Sequence, residues 1–318
     1  MTGGLISREV HEVVEAVGMK RALRIGKVST SLPAETHVSA FPMVNRAPPG
    51  AFGDQDHLLR PQYSERIADH FVDTLNGWLK KHRLSLTPVA EAKLVASFGE
   101  ALDNAERHGN VDGEPGTGDW SVAGFSRLIE DEDSVQILEC SVAIVGVGTT
   151  ISDSLSSAEA NIRTRIDSYG DAHSRLFSSA EDRQNLRTVM ALQDGVTRVE
   201  SASRNRRGGV GLIHLINAFA DLGDCDREDC ASVVTVLSGR SCIRITEPYR
   251  KGIAPSGSHL RELWFNDKND AKEPPDRKHV FTIDQRFPGT ILSACFTIDP
   301  SYLRKQIATN ADDGRDKH

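Results

Sequence analysis

A chain of 318 residues, 38% hydrophobic and 26% charged, carries enough apolar material for a full core. Its formal net charge of -7 and pI near 5.9 argue against general binding to nucleic acid or to an anionic membrane, since both need a cationic surface. Five cysteines, odd in number and irregular in spacing, define neither a disulfide framework nor a zinc site.

The opening stretch MTGGLISREVHEVVEAVG holds acidic residues and no apolar run, unlike a signal peptide. No window approaches the roughly 20 apolar residues of a membrane span, so a cytoplasmic protein with no membrane partner is expected. Val10, Val13, Val14, Val17 and Leu23 fall near helical spacing and predict an amphipathic helix over 6–24. Residues 26–60, with SLPAE, FPMV and RAPPGAFGDQD, read as loops with one short strand.

Ile67, Phe71, Val72, Leu75 and Leu79 form one stripe and predict a helix over 62–83. Ser85 to Pro88 break it. Thr87 is placed to cap a second helix over 88–108, with Pro88 at its first position. Leu94, Val95, Phe98, Ala101, Leu102 and Ala105 give that helix its apolar face. Glu100 and Asn104, four residues apart, stack at the margin of this face, with His108 one turn further on. Asp103 points about 100° away from Asn104. Taken alone, the pattern also fits a solvated helix face.

A loop follows over 109–119, then two strand-like runs at 120–129 and 135–145 with EDEDS between them as a hairpin turn. Residues 149–207 are polar, rich in Ser, Arg and Asp, with helices expected around 154–166 and 181–193. RRGGVGLIHL (206–215) is a glycine turn opening a helix, where backbone N–H groups attract phosphate oxygens. SVVTVLSGRSCIRI reads as two strands around a tight turn at 237–241. A polar loop over 250–278 and a last strand begun by PGT (288–290) precede a polar tail from 304. Cys140, Cys242 and Cys295 lie in apolar strand-like runs and are expected as reduced core thiols. Cys225 and Cys230 flank DRED, but two thiolates do not complete a tetrahedral zinc site. Helices segregated from a mixed, mostly antiparallel sheet predict an α+β fold, a two-layer α/β sandwich.

Four glycine-bearing segments, IVGVGTTI (144–151), GVGL (209–212), SGRS and PGT, follow EALDNAERH in a fixed order. Together they resemble the GHKL, or Bergerat-fold, ATPases, over about residues 70 to 300. EALDNAERH resembles the N-box of that family, IVGVG its Asp-x-Gly-x-Gly box, and GVGL its second glycine box. The resemblance implies ATP and Mg²⁺ as ligands. It implies that Asn104 binds the ion through its amide oxygen. It gives Glu100 the role of general base toward the attacking water. His108 and Arg207 would lie near the phosphates, with Arg206 beside Arg207. The backbone of Gly146, Gly148, Gly209, Val210, Gly211 and Leu212 would surround the nucleotide, and Thr290 would lie near the adenine. Residues 149–207 take the place of the ATP lid, where Thr197 would meet the γ-phosphate. In one departure, Ile144 stands where the family has the Asp that accepts from the adenine amino group; a backbone carbonyl or Ser141 is the candidate replacement.

The resemblance divides the chain into an extension (1–61), an ATP-binding domain (62–303) and a tail (304–318). It implies an ATPase switch acting on an unidentified protein partner or on a second copy as a homodimer. A serine- or histidine-directed protein kinase and a non-catalytic nucleotide sensor are the alternatives.

Overall fold

The computed structural model of the protein describes residues 64–108, 119–130, 136–194, 196, 211–223, 232–246, 249 and 261–304, and the backbone of 38–46. The helix expected over 6–24, the EDEDS turn, Thr197, Arg206, Arg207, Gly209, Val210, Cys225, Cys230 and the tail beyond 304 lie outside the described residues.

Two helices come first after the leading strand, as their periodicity predicts. Helix α1 (Ser64–Lys80) buries Ile67, Phe71, Leu75 and Leu79 on one side, and α2 (Pro88–His108) buries Leu94, Phe98 and Leu102. Their stripes meet where Phe71 stacks on Phe98, ring centroids 4.4 Å apart. The connection is closed by side chains. The Asn76 Oδ1 accepts from the Leu86 N–H at 2.9 Å, and its Nδ2 donates to the Glu91 carboxylate. Thr87 caps α2 as expected, its Oγ1 accepting from the Ala90 N–H at 3.2 Å.

The sheet has five strands: β1 (Val38–Arg46), β2 (Asp119–Glu130), β3 (Gln136–Val147), β4 (Val233–Ile245) and β5 (Val280–Ile298). Their spatial order is β1-β2-β3-β5-β4, and every neighbouring pair is antiparallel. Residues alternate between faces with period two. Val122 on β2, Cys140, Val142 and Ile144 on β3, Leu292, Ala294 and Phe296 on β5, and Val234 and Val236 on β4 are buried. Helix α2 and a later helix, α6 (Gly211–Leu222), lie against this face, with Phe219 of α6 stacked on Phe296 at 5.5 Å. The opposite face is half-buried: Ala143 and Val145 on β3, and Ile291 and Ser293 on β5.

Four expectations are corrected. β1 falls within the expected extension (1–61), yet it pairs with β2 from Val38↔Arg127 to Arg46↔Trp120, so no boundary separates it from the sheet. SGRS is not a turn between strands, because β4 runs through it. Gly239 stands at φ +63 and forms a bulge, with the register to β5 shifting on either side. A glycine flanked by serines suits either geometry; Gln184 on a helix above decides it, its Oε1 accepting the Arg240 N–H at 3.1 Å. β5 begins at Val280 rather than at PGT, because its first residues pair with the far half of β4 (Ile243↔Val280). Cys295 is exposed on the open sheet face, opposite the phase of Ala294 and Phe296, whereas Cys140 and Cys242 are buried core thiols whose burial pushes their pKa up.

The polar segment from 149 also differs from its reading. Up to residue 194 it is three helices, α3 (Ile151–Ser156), α4 (Ala160–Ala172) and α5 (Ala180–Ala191), with Leu155, Ile162, Ile166, Tyr169, Leu186 and Val189 in the core. Its apolar residues are sparse, but those within the helices fall in phase, while Leu176 between α4 and α5 is exposed. Helix α5 starts with a capping box, Ser179 and Asp182 bonding each other's backbone N–H, and packs on the far halves of β4 and β5. At its end, Gln193 pairs with the Leu263 backbone at both atoms, 2.7 and 2.8 Å, as a strand neighbour would.

Candidate functional site

Helix α2 crosses the end of β3 at one close point. A Cβ placed on Gly146 would stand 3.7 Å from the Ala105 Cβ, an ordinary contact distance, so a side chain larger than methyl would push the helix off the sheet. This contact fixes Asn104, the preceding residue, and Glu100, one turn back, beside the strand end. Both are half-buried, and Asp103 is exposed, as their helical phases require. Among the described residues neither the Glu100 nor the Asn104 side chain has a hydrogen-bond or ion-pair partner. A carboxylate and a carboxamide stacked without partners at a helix–sheet junction leave an acceptor pair open to a ligand. His108 ends α2, and its side chain lies outside the described residues.

Beyond Gly146 the chain turns through Gly148 at φ +140, whose N–H donates to the Pro288 carbonyl at 2.9 Å. The facing strand answers with Gly289 at φ +151; a Cβ there would overlap the Gly146 carbonyl oxygen, so only glycine lets β3 and β5 meet at this register. The IVGVG and PGT segments are therefore brought together, with Gly146↔Thr290 and Val147↔Gly289 as direct partners.

The same row continues across the sheet as Trp120, Gly146, Thr290 and Ser238 on β2, β3, β5 and β4. Directly opposed residues share a face, and Gly146 faces α2, so this row faces the helices. Ser238 is fully buried. Its Oγ lies 2.8 Å from the Thr290 Oγ1 and 3.3 Å from the Gly289 carbonyl, and accepts from the Ile151 N–H at 2.8 Å. Thr290 is half-buried, so this hydroxyl pair reaches from the core to the rim. The Trp120 Nε1–H, in the same row, is buried without an acceptor among the described residues. Sequence reasoning named Thr290 and missed Ser238; the signal was its phase, since Val234, Val236 and Ser238 occupy alternate buried positions of one strand.

The next row inward is apolar throughout: Val122, Ile144, Leu292 and Val236, each 8% exposed or less. Ile144 thus points under the helices. Ser141 does not. It lies in the opposite phase of β3, its Oγ 3.4 Å from the Cys295 Sγ on the open face, and so is removed as a replacement acceptor. Gly211 opens α6 and Leu212 is half-buried against the core.

Among the described residues no group of three or more His, Cys, Asp or Glu side chains could hold a metal ion, and no helix is long and apolar enough to cross a membrane. Comparison of the chain with protein families, curated proteins and solved structures found no match.

Proposed function

We propose that the protein is a Mg²⁺-dependent ATP-binding and hydrolysing domain of the Bergerat type, a two-layer α/β sandwich that acts as a conformational switch on a partner protein. The observation that carries this reading is the junction of α2 with β3. The Glu100 and Asn104 side chains stand there half-buried and, among the described residues, unpartnered, with Asn104 next to the Ala105–Gly146 contact and Glu100 one turn back.

The Asn104 amide oxygen is a neutral hard donor, which suits a cation that keeps its waters and takes its other ligands from phosphates. The absence of any cluster of acidic or imidazole ligands among the described residues fits an ion carried in by the nucleotide rather than one caged by protein. Bound there, the cation would supply neutralisation of phosphate charge. The Glu100 carboxylate, one turn away on the same face, orients a water and takes its proton. The N-terminus of α6 would offer the positive end of a helix to the phosphates.

The test is hydrolysis and binding of ATP with and without Mg²⁺. Glu100→Ala is expected to lower turnover by about a hundredfold or more, within the range of a lost general base, and to spare binding. Asn104→Ala is expected to abolish the Mg²⁺ dependence of binding. Equal turnover in wild type and Glu100→Ala overturns the catalytic reading. A second reading, a nucleotide sensor without turnover, is favoured by the apolar Ile144 row, and binding without phosphate release would establish it.

A further inference from the structure

Helix α1 runs out into the basic sequence Lys80, Lys81, His82, Arg83. A further cation, Arg304, reaches the same place from the helical turn that follows β5, its guanidinium donating to the His82 carbonyl at 2.9 Å. Lys80, Lys81, Arg83 and Arg304 are all exposed. Like charges are held together here: burial first, then the charges of Arg304 and Lys81, keeps the His82 imidazole below its ordinary pKa. Neighbouring carboxylates are engaged elsewhere. Glu91, across the connection to α2, takes the Asn76 amide, and Asp299 caps the Arg304 turn through the N–H groups of Ser301 and Tyr302 at 2.8 and 3.2 Å. Among the described residues no carboxylate pairs with Lys80, Arg83 or Arg304.

The dipole of α1 favours cations in its last turn, and that accounts for Lys80. It does not account for Arg83. The Leu84 N–H bonds to the Leu79 carbonyl at 3.1 Å and the Arg83 N–H to the Lys80 carbonyl at 3.0 Å, so the helix closes in a Schellman turn. Arg83 is the left-handed residue of that turn, at φ +58. Glycine is relaxed in this conformation and a side chain is strained. An arginine there sets a cation at the tip of the turn against the preference of the backbone. Nor does the dipole call for Arg304, which comes from a different element.

We infer that the end of α1, with Arg304 beside it, is a docking surface for a short acidic segment of a partner protein. Arg83 and Arg304 supply planar forks that take a carboxylate two oxygens at a time, and Lys80 and Lys81 add point charges. Size and charge favour a peptide over other polyanions. A nucleic acid or an anionic membrane extends well beyond one helix end and meets the rest of a chain whose net charge is -7. A short peptide meets only the cations. The surface adjoins the start of α2, whereas Glu100 and Asn104 stand toward the other end of that helix, so docking needs neither residue of the proposed nucleotide site.

The experiment is fluorescence anisotropy of the full chain with a labelled peptide of alternating Glu and Asp, beside a labelled single-stranded oligonucleotide of equal charge and vesicles of phosphatidylserine and phosphatidylcholine. The wild type is expected to bind the peptide with an affinity that falls as salt is raised. Joint charge reversal, Lys80→Glu with Arg304→Glu, is expected to weaken that binding by about tenfold or more. Arg83→Gly separates docking from folding. It is expected to weaken peptide binding by about threefold or more and to leave the urea midpoint equal or higher, because glycine relaxes the left-handed position. Absence of peptide binding, binding that charge reversal or Arg83→Gly leaves unchanged, or tighter binding of the oligonucleotide or the vesicles than of the peptide overturns the inference.

Discussion

Asp194 is 7% exposed, and among the described residues its Oδ1 has no partner. Its Oδ2 accepts from the Arg261 N–H at 2.9 Å. Burial raises its pKa above the ordinary carboxylate value, while the Arg261 N–H and the charges of His214 and Arg261 pull it back. Over the pH range between the ordinary and the raised value, the folded form keeps a proton that the unfolded form has released. Stability therefore falls as pH rises through that range, and the loss persists above it. Asp194→Asn keeps an acceptor for Arg261 and removes the charge. Urea unfolding across this range should show the variant gaining on wild type as pH rises, and a constant difference would exclude the assignment. Spacing along one helix made the shared, half-buried face of Glu100 and Asn104 legible, but on its own it also fits a solvated face, and the roles proposed for them came from the resemblance. Ser238 and Thr290 are 52 residues apart, and no local pattern announces that their hydroxyls meet.

At the scale of elements, α1 and α4 each carry a glycine with nothing near it. A Cβ on Gly77 or Gly170 would meet no atom within 4 Å. Both sit inside helices, where glycine costs backbone entropy and contributes no packing. Gly77→Ala and Gly170→Ala should each raise stability by about 0.5–1 kcal/mol, read as higher urea midpoints at unchanged slope. Unchanged or lower midpoints would mean that these turns are not regular helix. α1 and α2 were legible because a 3.6-residue stripe repeats over several turns in each. β4 was read as two strands because glycine between serines serves turns and bulges alike. The distinction came from Gln184 on α5, a residue more than fifty positions earlier. The start of β5 was missed because Asp284, Gln285 and Arg286 are exposed and break the alternation that marks a strand.

At the scale of the whole molecule, two sets of helices share one sheet. α2 and α6 pack near the junction of β3 and β5, with α1 against α2, and α5 packs on the outer halves of β4 and β5 with α3 and α4 against it. The bulge at Gly239 divides the two regions of β4. The segregation of helices from an antiparallel sheet was legible in the order of apolar runs. The packing of residues 151–194 was not, because its core residues are few and widely spaced in a polar stretch; only their phase reveals them.

β1 is an edge strand, and its partner β2 is not. A fragment cut to begin at residue 62 would strip the sheet of its border and leave the outer N–H and C=O groups of β2 bare over the nine-residue length of β1. Such a fragment should clump on light scattering at concentrations where the full chain stays dispersed, and a fragment begun ahead of Val38 should not. The shortest self-sufficient piece of this protein therefore starts upstream of both α1 and the helix that holds Glu100 and Asn104.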